Sequence, residues 1–224
     1  MKNKYLYYAI GAIVLIILIL IIIAQSQTED ERDASPTPSQ TQSPAETASP
    51  TAQPSPEETQ GTQFERPVDG FDDRITKKEF GQFVSPEDSP VENERFTGYH
   101  TGVDVEYEDI STDVPVRSIF DGTVIYSSYV SGYGGVVIVA HEIDNEDISS
   151  IYGHLNPDAM LPTGTVVAKG QQLGVLGEEG YETDEERRHL HFGIYDGHDV
   201  ELRGYVDNES ELDKWHDPVE FLNS

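Results

Sequence analysis

From Gly98 onward the chain is cut into short runs that leave no room for a long helix. "GVDVEY", "VPVRSIF", "GTVIYSSYV", "GGVVIVAH", "ISSIYGHL", "GTVVAKG", "QLGVLG" and "LHFGIYDG" follow one another in that order. Each is rich in Val, Ile, Tyr or Phe and is bounded by Gly, Pro, Asp or Asn, residues that end strands and build turns. Eight such runs within about a hundred residues predict an all-β domain of mainly antiparallel strands. One short helix is expected near the end, with Asp217 as cap and Pro218 in the first turn before "VEFL".

Upstream the chain changes character twice. "YLYYAIGAIVLIILILIIIA", residues 5–24, carries no charge. Twenty residues match the roughly 30 Å hydrocarbon core of a bilayer at about 1.5 Å per residue. Lys2 and Lys4 precede it, and Glu29, Asp30 and Glu31 follow. The expectation is therefore a single-pass transmembrane signal anchor, with residues 1–4 cytoplasmic and the rest in the cell wall or periplasm. A cleaved signal peptide would have a shorter apolar region and a small-x-small site, which "AQSQ" matches weakly. Residues 25–63 are dominated by Ser, Thr, Pro, Gln, Ala and Glu and read as a disordered linker. At about 3.1 Å per residue such a tether reaches up to ~120 Å. The folded part is placed at 64–224, its core at about 96–200, with "GFDDRITKKEFGQFVSP" as a lead-in packed on the domain edge.

Charge and cysteine usage narrow the function. There are 42 acidic residues against 14 basic ones, a formal charge of −28. Phosphate binding is driven by Lys and Arg, so no nucleic-acid partner is expected. With no cysteine there is no disulfide, thiol nucleophile or thiolate ligand. Any metal site must be built from His, Asp and Glu.

The seven histidines then carry the information. Residues two apart on a strand share a face. In "HLHFG" that places His189 and His191 together and turns Leu190 the other way, into the core. "HTGVDVEY" supplies His100 and Asp104, with Gly102 read as a bend between them, and "YGHL" supplies His154. A catalytic zinc needs three protein ligands and one open position, which one Asp and two His fill. Two histidines then remain for proton transfer, a task suited to an ordinary pKa near 6.5.

The order "HTGVD", "GTVIYSS", "GYGGVVIVAH", "IYGHL", "GTVVAKGQQLGVLG", "HLHFGIYDG" resembles the lysostaphin/LytM-type zinc metallopeptidases, over about Phe80 to Leu222. The tail "KWHDPVEFL" also looks like the end of such domains. The resemblance implies an open, barrel-like antiparallel sheet of the duplicated hybrid motif type, with a groove across it. It also implies one zinc ion and cleavage of peptidoglycan peptide bonds. It makes His100, Asp104 and His191 the metal ligands and His154 and His189 the catalytic histidines. One of these two would take a proton from the attacking water; the other would stabilise the tetrahedral intermediate or protonate the leaving amine. Some domains of this type act instead as scaffolds or activators of other cell-wall hydrolases. That alternative predicts lost ligands, and none is lost here.

One departure stands out. The approach to "HLH" is the long, charged "GEEGYETDEERRHLH". It reads as a solvated loop or as a groove wall in which Arg188 holds a substrate carboxylate. His141, His198 and His216 read as structural or exposed. "HEIDN" lacks the second His of a helix-borne zinc motif, and "GYGG" precedes no helix, so a nucleotide loop is unsupported.

Overall fold

A computed structural model of the protein describes residues 63–224. The expectations for residues 1–4, 5–24 and 25–62 lie outside the described residues. Among the described residues no helix is long and apolar enough to cross a membrane.

The strands are β1 (Phe83–Val84), β2 (Gly98–His100), β3 (Gly102–Glu106), β4 (Pro115–Arg117), β5 (Gly122–Val130), β6 (Gly134–Ile143), β7 (Glu146–Leu155), β8 (Val166–Val167), β9 (Gln172–Val175), β10 (His189–Asp196), β11 (Tyr205–Val206) and β12 (Trp215–His216). One helix, α1 (Pro218–Leu222), follows, capped as expected by the Asp217 carboxylate, which accepts from the Val219 amide at 2.8 Å. All eight expected runs contain strands; the two-residue strands β1, β11 and β12 had no comparable pattern.

The main sheet has the order β12-β10-β7-β6-β5-β8, with β3 also paired to β10. Every pairing is antiparallel. A small sheet β1-β2-β11 and a pair β4-β9 complete the domain. The sheets stay open, as expected: the main one ends on the two-residue strands β8 and β12, and no closed barrel forms among the described residues.

Alternation divides the core. Leu190, Phe192 and Ile194 of β10 join Val137 and Val139 of β6 and Val103 and Val105 of β3 on one face. Val136, Ile138, Ile151, Tyr195 and Trp215 pack on the other. That second face carries the side of β10 to which His189 and His191 belong. The lead-in departs from the expected edge packing at Phe71, which enters the core. Phe71 is buried edge-on against Phe192, ring centroids 5.7 Å apart, and Phe64 packs on Phe120 and Phe221.

Two buried polar features interrupt this packing. Gly135 pairs with Leu155 while Val136 pairs with Gly153, which leaves His154 as the extra residue of a β-bulge at φ +63°. On the same hairpin, His141 Nδ1–H donates to the Asp121 carbonyl at 2.9 Å. Its Nε2 faces the Ser150 hydroxyl at 2.7 Å, which lies 3.0 Å from the Tyr152 hydroxyl.

Burial lowers the His141 pKa to about 4, with the Asp121 carbonyl opposing. The unfolded chain takes up this proton near 6.5, the folded chain only near 4. The His141 contribution to stability is therefore complete above pH 6.5 and is lost as pH falls from there to about 4. Urea unfolding over that window should show a smaller pH slope for His141→Asn than for the wild type; equal slopes would contradict this assignment.

Candidate active site

The site forms where the small sheet meets the main one. His100 ends β2, and Asp104 lies on β3 four residues later. In the β3–β10 ladder Asp104 sits opposite His191 and Glu106 opposite His189. Gly102 pairs with Gly193, and a Cβ at Gly102 would stand 2.3 Å from the Phe192 carbonyl oxygen. Gly102 is thus needed for close strand approach rather than for the bend expected between His100 and Asp104. In "YGHL", a Cβ at Gly153 would stand 2.5 Å from the Tyr133 ring, so this glycine makes room for Tyr133 above His191.

Three ligand-type atoms converge. His100 Nε2 lies 3.0 Å from His191 Nδ1, and each lies 3.2 Å from Asp104 Oδ1. All three side chains are buried, and together they could hold a metal ion. A tetrahedral zinc with bonds of 2.0–2.2 Å places its ligand atoms about 3.3 Å apart, so the spacing fits. The protons agree as well. His100 Nδ1–H donates to the Glu79 carbonyl at 3.1 Å. In the neutral ring this leaves Nε2 a lone pair, facing a carboxylate oxygen that is also an acceptor. Two acceptors this close call for a cation between them.

His154 and His189 lie beside this cluster, ring centroids 4.2 Å apart. His189 Nδ1–H donates to the Arg187 carbonyl at 2.8 Å, which directs the Nε2 lone pair toward Asp104 Oδ2 at 3.4 Å. His154 Nδ1, His191 Nε2 and the Tyr133 hydroxyl are buried without a hydrogen-bond partner. These residues line one pocket of about 290 Å³, together with Lys78, Arg187 and Tyr205.

Burial sets the protonation states. It lowers the His154 pKa to about 3 against the attraction of Asp104. It holds His189 well below its usual value, with help from the Arg187 cation, and it lowers His191. These imidazoles are therefore neutral near pH 7, the form that binds metal or accepts a proton. Burial opposes ionisation of Asp104, but its imidazole neighbours His189, His100 and His191 outweigh it and hold the carboxyl well below the usual range.

The structure brings His100, Asp104, His154, His189 and His191 together and leaves Arg188 out. The Arg188 guanidinium is buried among the carbonyls of Ile110, Thr112 and Gly177, the last two at 3.0 and 3.3 Å, and pairs with Glu178 at 3.0 Å. Strand parity explains the correction: Arg188 follows Leu190, whereas Arg187 follows the histidines. The loop before β10 does form a wall, contributing Glu186 and Arg187 to the pocket. Asp184 accepts from the Tyr129 hydroxyl at 2.6 Å and the Gly132 amide at 2.7 Å, which ties the loop to the β5–β6 turn. Tyr133, Tyr205 and Lys78 carried no sequence signal for the site. Lys78 Nζ bonds the Tyr205 hydroxyl at 2.8 Å, and the Tyr205 ring lies 5.2 Å from that of His100.

Comparison with known proteins places these residues in context. Residues 98–202 match peptidase family M23. An uncharacterized protein of Haemophilus influenzae is 37% identical over 84 residues, 38% of this chain and 19% of that protein. The murein hydrolase activator EnvC of Escherichia coli is 36% identical over 70 residues, 31% of this chain and 16% of that protein. The chain thus matches less than a fifth of the length of either relative. The catalytic domain of the antimicrobial peptidase lysostaphin from Staphylococcus simulans aligns at a TM-score of 0.46 and 23% identity, over 68% of this chain and 95% of that one.

The buried position of Arg188 assigns it to stability. Arg188→Met leaves the carbonyls of Ile110 and Thr112 unsatisfied and should lower the unfolding free energy by about 1–3 kcal/mol. Its metal affinity, measured by titration, should match that of the wild type.

Proposed function

We propose that the chain, whose residues 98–202 match peptidase family M23, is a zinc metalloendopeptidase acting on peptide bonds of peptidoglycan. The observation that carries this reading is the complete set of five side chains. His100, Asp104 and His191 meet within 3.2 Å of one another, and His154 and His189 stand beside them.

In this reading His100 Nε2, Asp104 Oδ1 and His191 Nδ1 hold the zinc. When bound, zinc supplies Lewis-acid polarisation of a carbonyl and acidifies water. His189, neutral and with its Nε2 lone pair directed toward the cluster, accepts the proton of the attacking water. The proton that His189 takes up then passes to the departing amine, while His154, buried and held at positive φ by the bulge, faces the developing charge and donates a hydrogen bond to it. Strain of this kind at a bulge persists where the surrounding structure enforces it. Tyr133 keeps its phenol proton, since burial pushes its pKa up, so its unpartnered hydroxyl can donate to a substrate oxygen. Residues 5–24 would anchor the chain in the membrane, and residues 25–63 would let the domain reach the wall.

The similarity to EnvC supports a second reading, a non-catalytic activator of other wall hydrolases. Muropeptide release from purified cell wall separates the two. The peptidase reading expects release that a chelator abolishes and zinc restores; the activator expects none without an added hydrolase. Single substitutions divide the roles further. His191→Ala should lose zinc as measured by metal analysis. His189→Ala should retain zinc and lose about 10²–10⁴-fold in turnover.

A further inference from the structure

Arg187 is a cation bonded directly to one of the converging ligands. Its Nη2 donates to Asp104 Oδ2 at 2.8 Å and to Glu106 Oε1 at 2.7 Å, and its Nε donates to Glu106 Oε2 at 3.0 Å. Nη1 is buried without a partner, so the side-chain hydrogen bonds that orient this guanidinium run to these two carboxylates. Asp104 and Glu106 are two apart on β3. They sit opposite His191 and His189 on β10, and Arg187 extends the histidine face of that strand by one step. All three partners are largely buried, with side-chain exposures of 10% for Arg187 and Glu106 and 2% for Asp104.

We propose that Arg187 is a positioning residue for the metal-binding carboxylate. It occupies Asp104 Oδ2, so that only Oδ1 is presented to His100 and His191. This role rests on the reading of His100, Asp104 and His191 as the zinc site. A carboxylate has two equivalent oxygens and can rotate to offer either or both. The bond from Arg187 removes that freedom, and the fork onto Glu106 removes the freedom of Arg187 itself. A lone cation this close would repel a metal. The Glu106 carboxylate, whose Oε2 also lies 3.5 Å from Lys77 Nζ, offsets that charge, so the orienting effect remains. Groups that orient a metal ligand in this way are worth about 10–100-fold in metal affinity.

The test is zinc affinity of the full chain in detergent, stripped of metal and titrated against a competing chelator dye, with the visible spectrum of the Co²⁺-loaded form as second readout. Arg187→Met should bind zinc about 10–100-fold more weakly. Its Co²⁺ absorption should weaken toward a higher coordination number as the freed Oδ2 turns to the metal. Arg187→Lys, which can reach one carboxylate but cannot fork, should fall between, and it decides the question by the same criteria should the Met variant not fold. Unchanged affinity and spectrum in a wild type that does bind zinc would overturn the positioning role alone. So would weaker affinity with an unchanged Co²⁺ spectrum and a lowered thermal stability of the metal-free chain, which marks general loosening. A wild type that binds no zinc overturns the metal reading, and this role with it.

Discussion

The site depends first on the register of one strand pair, β3 against β10. Asp104 faces His191 and Glu106 faces His189 because Val103 and Val105 on one strand and Leu190 and Phe192 on the other are buried on the opposite face. A slip of β3 by one residue would turn Val103 and Val105 out of the core and carry Asp104 and Glu106 away from the histidines, so core burial and site assembly enforce the same register. The pairing also tolerates no side chain at Gly102, where the two backbones come too close. Because β10 is bonded to β7 on one side and to β3 and β12 on the other, the residues that bear His189 and His191 are held by a ladder rather than by a loop.

The second constraint is local and opposite in kind. His154 reaches the site only because β7 breaks its alternation there. The bulge inserts one residue and turns an imidazole that regular pairing would direct elsewhere. Burial then keeps it neutral, as it does His189 and His191. Buried acceptors in such number would be costly to leave facing one another. Their concentration around a buried carboxylate matches a site built to receive a cation and a polar substrate.

The wall of the pocket links these elements to the segment that precedes the strands. Lys78, buried beside Glu94 and bonded to Tyr205, fixes a ring against His100. Arg95 pairs with Glu186 across to the loop before β10. The lead-in therefore belongs to the site's frame, and its Phe71 belongs to the core.

The sequence by itself determined the β class, the eight main strands, the helix cap and the five residues that meet at the site. These are local patterns: alternation, turn chemistry, and His and Asp types in a fixed order. Tertiary structure alone decided how the pieces meet. That Gly102 answers to the Phe192 carbonyl, that Phe71 packs on Phe192, and that Tyr133 and Tyr205 flank His191 and His100 are contacts between segments far apart in the chain, which no local pattern encodes. The arginine pair lies between these cases. Alternation through "RRHLH" already places Arg187 with the histidines and Arg188 with Leu190. The structure was needed to show that the strand's geometry extends past its first hydrogen-bonded residue, which is what gives Arg187 the carboxylates and Arg188 the buried carbonyls.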